Sequence, residues 1–272
     1  MKDDVTIQDV SSTRKYAALI GYLKSLRSVA VAFSGGRDST LLLVAAQHAL
    51  GDKVVAFTIN TPYMAEWELD EARFLALQYS IQHHMFDMPV IESIQSNPPD
   101  RCYLCKYSLF SRLTEEAKNL GIEHLADGTN SDDLNSYRPG IKALNELNVV
   151  SPLLANQFTK QDIAAISKKL GLPNWNKSAY ACLLSRLPYH RQIDIKLLRR
   201  IEASEKYLIE IGFKTVRVRV HDDLARIEVP EPDLAKLLEP NLLQQVEHTL
   251  REYGFKYVTI DARGYRSGCF DE

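Results

Sequence analysis

Two groups of residues in this chain have types and spacing suited to chemistry. The first is Ser34-Gly35-Gly36-Arg37-Asp38-Ser39, within the run VAVAFSGGRDST. Adjacent glycines let a backbone turn come close to an oxyanion, and the N–H groups of the turn and of a following helix then point at it. Ser34 and Ser39 add hydroxyl donors. No lysine follows the second glycine, which separates this loop from Gly-x4-Gly-Lys-Ser/Thr. The second group is made of thiols: Cys102 and Cys105 in NPPDRCYLCKY, and Cys182 in SAYACLLSR. A structural zinc site usually brings two Cys-x-x-Cys pairs, and only one is present. A thioredoxin-like pair would follow a first strand, and this one does not. Three thiolates hold three irons of a [4Fe–4S] cluster and leave the fourth open to an exogenous ligand. Cys269, in the tail RSGCFDE, is a candidate further ligand.

The elements that must position these groups are legible in the patterning. SVAVAF, KVVAFTI, IQHHMFDM and GIEHLADG read as strands. STLLLVAAQHAL, EWELDEARFLALQY and YSLFSRLTEEAKNL between them carry helical period. Strands alternating with helices predict an α/β fold, a parallel sheet with helices on both faces, whose ligands sit at the carboxyl ends of its strands. TKQDIAAISKKLGLP adds a helix opened by Thr159 and closed by Gly171 and Pro173. Beyond about Tyr189 the order becomes helix, strand, strand, helix, strand, with TVRVRV and ARIEV as a hairpin around HDD. The expected division is a nucleotide-binding domain over 1–188 that carries the three cysteines, and a small C-terminal α+β domain for substrate binding and oligomerisation over 189–272.

Composition narrows the function classes. Of 272 residues, 45% are hydrophobic and 25% charged, as in globular proteins, and the net charge of −2 gives no footprint for nucleic acid or an anionic membrane. Four cysteines in a chain of this length do not make a disulfide scaffold. The N-terminus lacks the apolar run of a signal peptide, and no stretch reaches transmembrane length. A cytoplasmic protein with reduced or metal-bound cysteines is expected.

Other residues acquire candidate roles by place. LADGTNSDD follows a strand, so Asp127, Gly128, Thr129 and Asn130 lie at its carboxyl end, where a ligand or an Asx-type turn would use them. Tyr137 and Arg138 could line the same mouth. Lys106, next to Cys105, is either a solvated lysine or a cation for phosphates and developing charge. In TVRVRV, period 2 sets Val216, Val218 and Val220 on one face and Arg217 and Arg219 on the other, opposite Arg226 and Glu228. The residues alone favour a half-solvated hairpin with cross-strand ion pairs.

The loop SGGRDS resembles that of the N-type ATP pyrophosphatases (PP-loop proteins), which adenylate a carboxylate or carbonyl oxygen and release pyrophosphate. DGTNSDD, YRPGIKAL, SPLL, LPNWNKSAYACLLSR and TVRVRVHDDLARIEVP narrow this to a resemblance to the LarE-type sulfur transferases, over about Val29 to Gly268. That resemblance implies ATP and Mg²⁺, with phosphates on Ser34, Gly35, Gly36 and Ser39 and Mg²⁺ near Asp38. It implies a small-molecule substrate, pyridinium-3,5-biscarboxylic acid mononucleotide, whose carboxylates become thiocarboxylates for the nickel-pincer nucleotide of lactate racemase. Ser185, Arg186, Arg217, Arg219 and Arg266 would bind the substrate's anionic groups, while Glu205 and Glu228 stay open between structural and metal-binding parts. Sulfide or another sulfur donor, no nucleic acid or membrane partner, and a homo-oligomer are the implied partners. The family has two sulfur chemistries: one cysteine sacrifices its own sulfur, or three cysteines bind a [4Fe–4S] cluster. The sacrificial position is Ala181 here, so Cys102, Cys105 and Cys182 match the second pattern, with a sacrificial Cys182 as the alternative. A tRNA thiolase would show a basic RNA-binding face. An amidating synthetase would have no need of three thiols, and a non-catalytic regulator would bind ATP without turning it over.

Overall fold

The computed structural model describes residues 14–135, 139–178 and 180–266. Tyr137, Arg138 and Cys269 lie outside them. The described chain forms two compact units, the second made of Pro62–Ala65, Glu92–Pro99 and the chain from Tyr180 onward.

In the first unit, apolar runs without polar alternation make the strands β1 (Val29–Ala32), β2 (Val54–Asn60) and β4 (Leu125–Ala126), while the more polar β3 (Gln82–Asp87) is partly exposed at the edge of the sheet. All pair in parallel, in the order β3-β2-β1-β4. Adjacent strand residues point to opposite faces, and two cores result. Val29, Val31, Val54 and Ala56 join one core with Leu19 and Leu23 of α1 (Arg14–Ser25), Leu41 to Ala46 of α2 (Arg37–Leu50) and Ala72 of α3 (Glu66–Gln78). Ala30, Val55 and Phe57 join the other with Leu113 and Ala117 of α4 (Arg101–Asn119) and Leu144 of α5 (Gly140–Glu146). The expected parallel sheet with helices on both faces is what forms.

The strand order decides where a ligand goes. The chain steps outward from β1 to β2 to β3, then returns to lay β4 on the other side of β1. Loops leaving the carboxyl ends of β1 and β4 therefore diverge, and a crevice opens between them. Ser34 follows β1 there and Asp127 follows β4. Two further helices close the unit, α6 (Pro152–Ala155) and α7 (Lys160–Lys169). The latter opens on a reciprocal cap in which Thr159 Oγ1 accepts from the Asp162 N–H and Asp162 accepts from the Thr159 N–H. It ends before Gly171 at φ +67°.

One boundary differs from expectation. Helix α4 starts at Arg101 rather than near Tyr107, because the Asp100 carbonyl already accepts the N–H groups of Tyr103 and Leu104. Cys102 and Cys105 thus sit on the opening turns of a helix, not in a turn before it. Neither proline interferes, since both precede the first helical residue.

The second unit holds α8 (Ile195–Glu210), β5 (Arg217–His221), β6 (Leu224–Glu228), α9 (Glu231–Leu237), α10 (Pro240–Glu252) and β7 (Tyr257–Ile260). The hairpin β5–β6 is antiparallel as expected, and β7 adds in parallel to β6. The single helix expected after the hairpin is two, because Pro240 cannot donate to the preceding turn and starts a new helix instead. Among the described residues no helix is long and apolar enough to cross a membrane.

Candidate active site

The first unit carries the phosphate loop. Gly35 has φ +69°, and a Cβ there would stand 3.1 Å from the backbone nitrogen of Ala72 in α3. Both the left-handed backbone and the close approach require glycine. Gly36 caps α2 with no side chain bonded to the helix N–H groups. The loop is held from within: Ser39 Oγ and Thr40 Oγ1 donate to the Gly36 carbonyl at 3.0 and 2.9 Å, and the Ser34 and Ser39 hydroxyls meet at 3.2 Å. The Gly36 carbonyl is thereby occupied, and the start of α2 presents N–H groups that no side chain caps.

The carboxylates behind the loop are fixed by hydrogen bonds. Asp38 accepts from Asn130 Nδ2 at 2.8 Å and pairs with Arg37 Nε at 3.2 Å. Burial pushes the Asp38 carboxyl above the usual carboxylate range, against the opposing pull of Arg37. A cation beside it would relieve that cost, which suits Asp38 to Mg²⁺. Asp127, 5% exposed, accepts from Thr129 Oγ1 at 2.5 Å and Ser151 Oγ at 2.6 Å, and pairs with Lys106 Nζ at 3.3 Å. Lys106 is therefore not a solvated lysine: it ties the cysteine-bearing helix α4 to the carboxyl end of β4. Gly128 lies directly on the start of α2, where a Cβ would stand 3.0 Å from the Ser39 nitrogen. Gly128→Ala should force the two backbones apart. About 1–3 kcal/mol of stability is expected to go, with weaker ATP binding, read by urea unfolding and calorimetric titration.

Sequence reasoning missed Ser151 and Asn174. Ser151 braces Asp127. Asn174 Nδ2 donates to the Gly35 carbonyl and to Thr40 Oγ1, both at 2.9 Å. Both lie in stretches quoted for the resemblance, SPLL and LPNWNKSAYACLLSR, but nothing local marks either side chain as a partner of these residues, because each reaches its partner only through the fold.

The second unit places Cys182 at the head of a short 3-10 helix, Leu183–Arg186. Its carbonyl accepts from Ser185 Oγ at 3.0 Å and Arg186 Nη1 at 3.1 Å. Arg186 has no exposed atom: Nε and Nη2 grip the two oxygens of Glu205 at 2.8 Å each, and Nη1 also bonds the Ala181 carbonyl at 2.8 Å. The head of Arg186, expected to bind substrate anions, is engaged in this structure by Glu205 and by the Cys182 turn. Glu205 also accepts from Tyr180 Oη and from the Val218 N–H at 2.7 Å. Of the two parts left open for Glu205, the geometry gives the structural one. Burial pushes its carboxyl up, but Arg186 and its companions prevail and hold it below the ordinary glutamate range.

The half-solvated hairpin expected from the alternation is not what forms, because Arg217 and Arg219 are both buried. Arg219 pairs with Glu228 at 2.8 Å and donates to the Ser185 carbonyl at 2.6 Å. Its second terminal nitrogen lies 3.5 Å from the Arg266 carbonyl, which is where the structure places Arg266. Glu228 also takes Arg226 at 2.9 Å, so it too is engaged within the protein. Arg217 stacks on Tyr180, 4.7 Å from the ring centroid, and Arg186 lies over the same ring at 4.6 Å. Burial and the nearby Arg186 push the Arg217 guanidinium down, a strain that a bound anion would relieve.

Cys102 and Cys182 are exposed and Cys105 is partly so, and none is in a disulfide. Among the described residues no three Cys, His, Asp or Glu side chains are gathered to hold a metal ion. The donor set still suits an iron–sulfur cluster in kind, being three accessible thiols of which two lie one helical turn apart.

Comparison with known proteins places these features. Residues 28–98, from β1 past β3, match the family described as "Queuosine biosynthesis protein QueC". The pyridinium-3,5-bisthiocarboxylic acid mononucleotide synthase of Lactiplantibacillus plantarum is 42% identical over 95% of this chain and 94% of its own. An uncharacterized protein of Synechocystis sp. is 40% identical over 88% of this chain and 90% of its own. A glutamine-hydrolyzing GMP synthase chain of Thermoplasma acidophilum is 28% identical over about half of each protein, 52% and 51%. With a phosphate loop at the reversal of a parallel sheet and likeness along nearly its whole length, the chain belongs to the LarE-type pyridinium-3,5-bisthiocarboxylic acid mononucleotide synthases of the PP-loop superfamily.

Proposed function

We propose that this chain is an ATP-dependent sulfur transferase acting on pyridinium-3,5-biscarboxylic acid mononucleotide. The observation that carries the reading is the 42% identity over 95% of the chain to a synthase named for the bisthiocarboxylic product. A carboxylate oxygen of the substrate attacks the α-phosphorus of ATP, the bond to the bridging oxygen breaks, and pyrophosphate leaves. The N–H groups at the start of α2 stabilise the departing charge, and Asp38 holds Mg²⁺. Hydrosulfide then attacks the acyl carbon, AMP departs with the bonding electrons, and the thiol proton passes to solvent. The product is a thiocarboxylate, the group that the nickel-pincer nucleotide of lactate racemase needs. Arg217 and Arg219 orient the substrate's carboxylate and phosphate, Arg217 gaining most because an anion offsets its burial beside Arg186.

A [4Fe–4S] cluster held by Cys102, Cys105 and Cys182 would relay sulfide from an external donor, so that no sulfur of the protein is consumed and turnovers repeat. The second reading, a sacrificial Cys182, draws on the exposure of that thiol at a pinned turn. Anaerobic purification followed by iron and acid-labile sulfide analysis separates the two. About four of each per chain, lost in Cys102→Ala, is the expected result. Iron-free protein whose mass falls by one sulfur at Cys182 after a single turnover would overturn it in favour of the sacrificial chemistry.

A further inference from the structure

Asn174 stands in the loop after α7, only 5% exposed. Its amide nitrogen makes the two bonds described above, while its Oδ1 has no partner among the described residues. A buried carboxamide with an orphaned oxygen is costly beside an apolar residue of the same size. Whatever offsets that cost lies on the nitrogen side, at Gly35 and Thr40.

The Gly35 carbonyl matters because of the peptide it belongs to. In a planar trans peptide the carbonyl of Gly35 and the N–H of Gly36 point to opposite sides. Two adjacent glycines let that peptide rotate at low steric cost. A rotated peptide would turn an oxygen toward a bound phosphate and hide the N–H. The Gly36 N–H itself makes only a 3.3 Å bond to Ser34 Oγ, a hydroxyl that can turn away. Asn174 supplies the missing restraint from the carbonyl side. Thr40 extends it: the same amide donates to Thr40 Oγ1, which donates in turn to the Gly36 carbonyl at 2.9 Å. The Gly35 carbonyl is thus drawn to the protein side by Asn174 itself, and the Gly36 carbonyl by Ser39 and by the Thr40 that Asn174 orients.

We propose that Asn174 is a positioning residue of the phosphate loop. It keeps the loop's N–H groups turned toward the phosphates of ATP and the departing pyrophosphate. The proposal rests on the reading of Ser34 to Ser39 as an ATP loop.

Calorimetric titration of the full chain with Mg²⁺-ATP, Mg²⁺-pyrophosphate and AMP tests it, with unfolding midpoints measured alongside. Asn174→Ala and Asn174→Asp should bind ATP and pyrophosphate about ten- to a hundredfold more weakly, the loss expected when an amide no longer faces its anion. AMP should bind as in the wild type, and Thr40→Ser, which keeps the hydroxyl, should retain ATP and pyrophosphate affinity while its unfolding midpoint falls for the lost buried methyl. Should Asn174→Ala fail to fold, Thr40→Val, which cuts the relay to Gly36, carries the same expectation. Folded Asn174 variants with unchanged ATP and pyrophosphate affinity would reduce Asn174 to packing, as would an equal loss for AMP. A wild-type protein that binds neither ATP nor pyrophosphate would overturn the loop reading itself, and the proposal with it.

Discussion

Arg186→Met should lower stability by about 3–5 kcal/mol, the cost of stranding a buried carboxylate. Glu205 has no exposed surface and accepts from Nε and Nη2 of this guanidinium. Methionine fills a similar volume but leaves the charge to Tyr180, Arg217 and one N–H. A double variant, Arg186→Met with Glu205→Met, should recover much of the loss, because it removes the charge as well as its partner. The pH dependence follows from the direction of the Glu205 shift. The folded carboxyl lies below its unfolded value, so its stabilisation is full above about pH 4.3 and is lost as pH falls through the folded value. In Arg186→Met burial dominates and raises the carboxyl, so the gap between wild type and variant should narrow toward acid. Urea unfolding at several pH values measures both effects. A loss under about 1 kcal/mol at neutral pH would mean that the pair contributes no more than a surface salt bridge.

Asp38→Asn should reduce ATP-dependent pyrophosphate release by about a hundredfold or more, the scale of losing one preorganised charge at a reacting phosphate. The amide keeps the size of the carboxylate, and its oxygen still accepts from Asn130 or Arg37. Stability should hold or rise. Burial already pushes the Asp38 carboxyl up in the folded protein, so its stability contribution falls as pH rises through the folded value. At neutral pH the ionised side chain is a cost to the fold, and the neutral amide removes it. A thermal melt beside a pyrophosphate assay checks both halves. Activity within tenfold of wild type would remove Asp38 from the metal site.

The three cysteines and the phosphate loop differ in how much of them could be read along the chain. The loop is local: strand, Gly-Gly turn and helix are consecutive, and the lack of a capping side chain on α2 follows from glycine at Gly36. Its place in the crevice followed from alternating strands and helices, which allow few sheet orders. The cysteine pair was legible as a pair, but its helix was placed too late, because residues before the apolar period give no signal that the first turn has begun. The hairpin was found and its exposure misjudged. Alternation of Val and Arg fixes which side chains share a face, not whether Glu228 and the Ser185 carbonyl cover the arginine face.

By itself, then, the sequence determined the parallel α/β class, the Gly-Gly turn between strand and helix and the family, because each depends on consecutive residues or on likeness along the whole chain. Only the tertiary structure decided that Arg186 holds Glu205 and the Cys182 turn, that Lys106 answers Asp127, and that Asn174 grips the phosphate loop from 139 positions away. Apart from the short reach of Arg186 to the Cys182 turn, these are hydrogen bonds between groups separated in the chain, whose partners are set by packing and leave no periodicity to read.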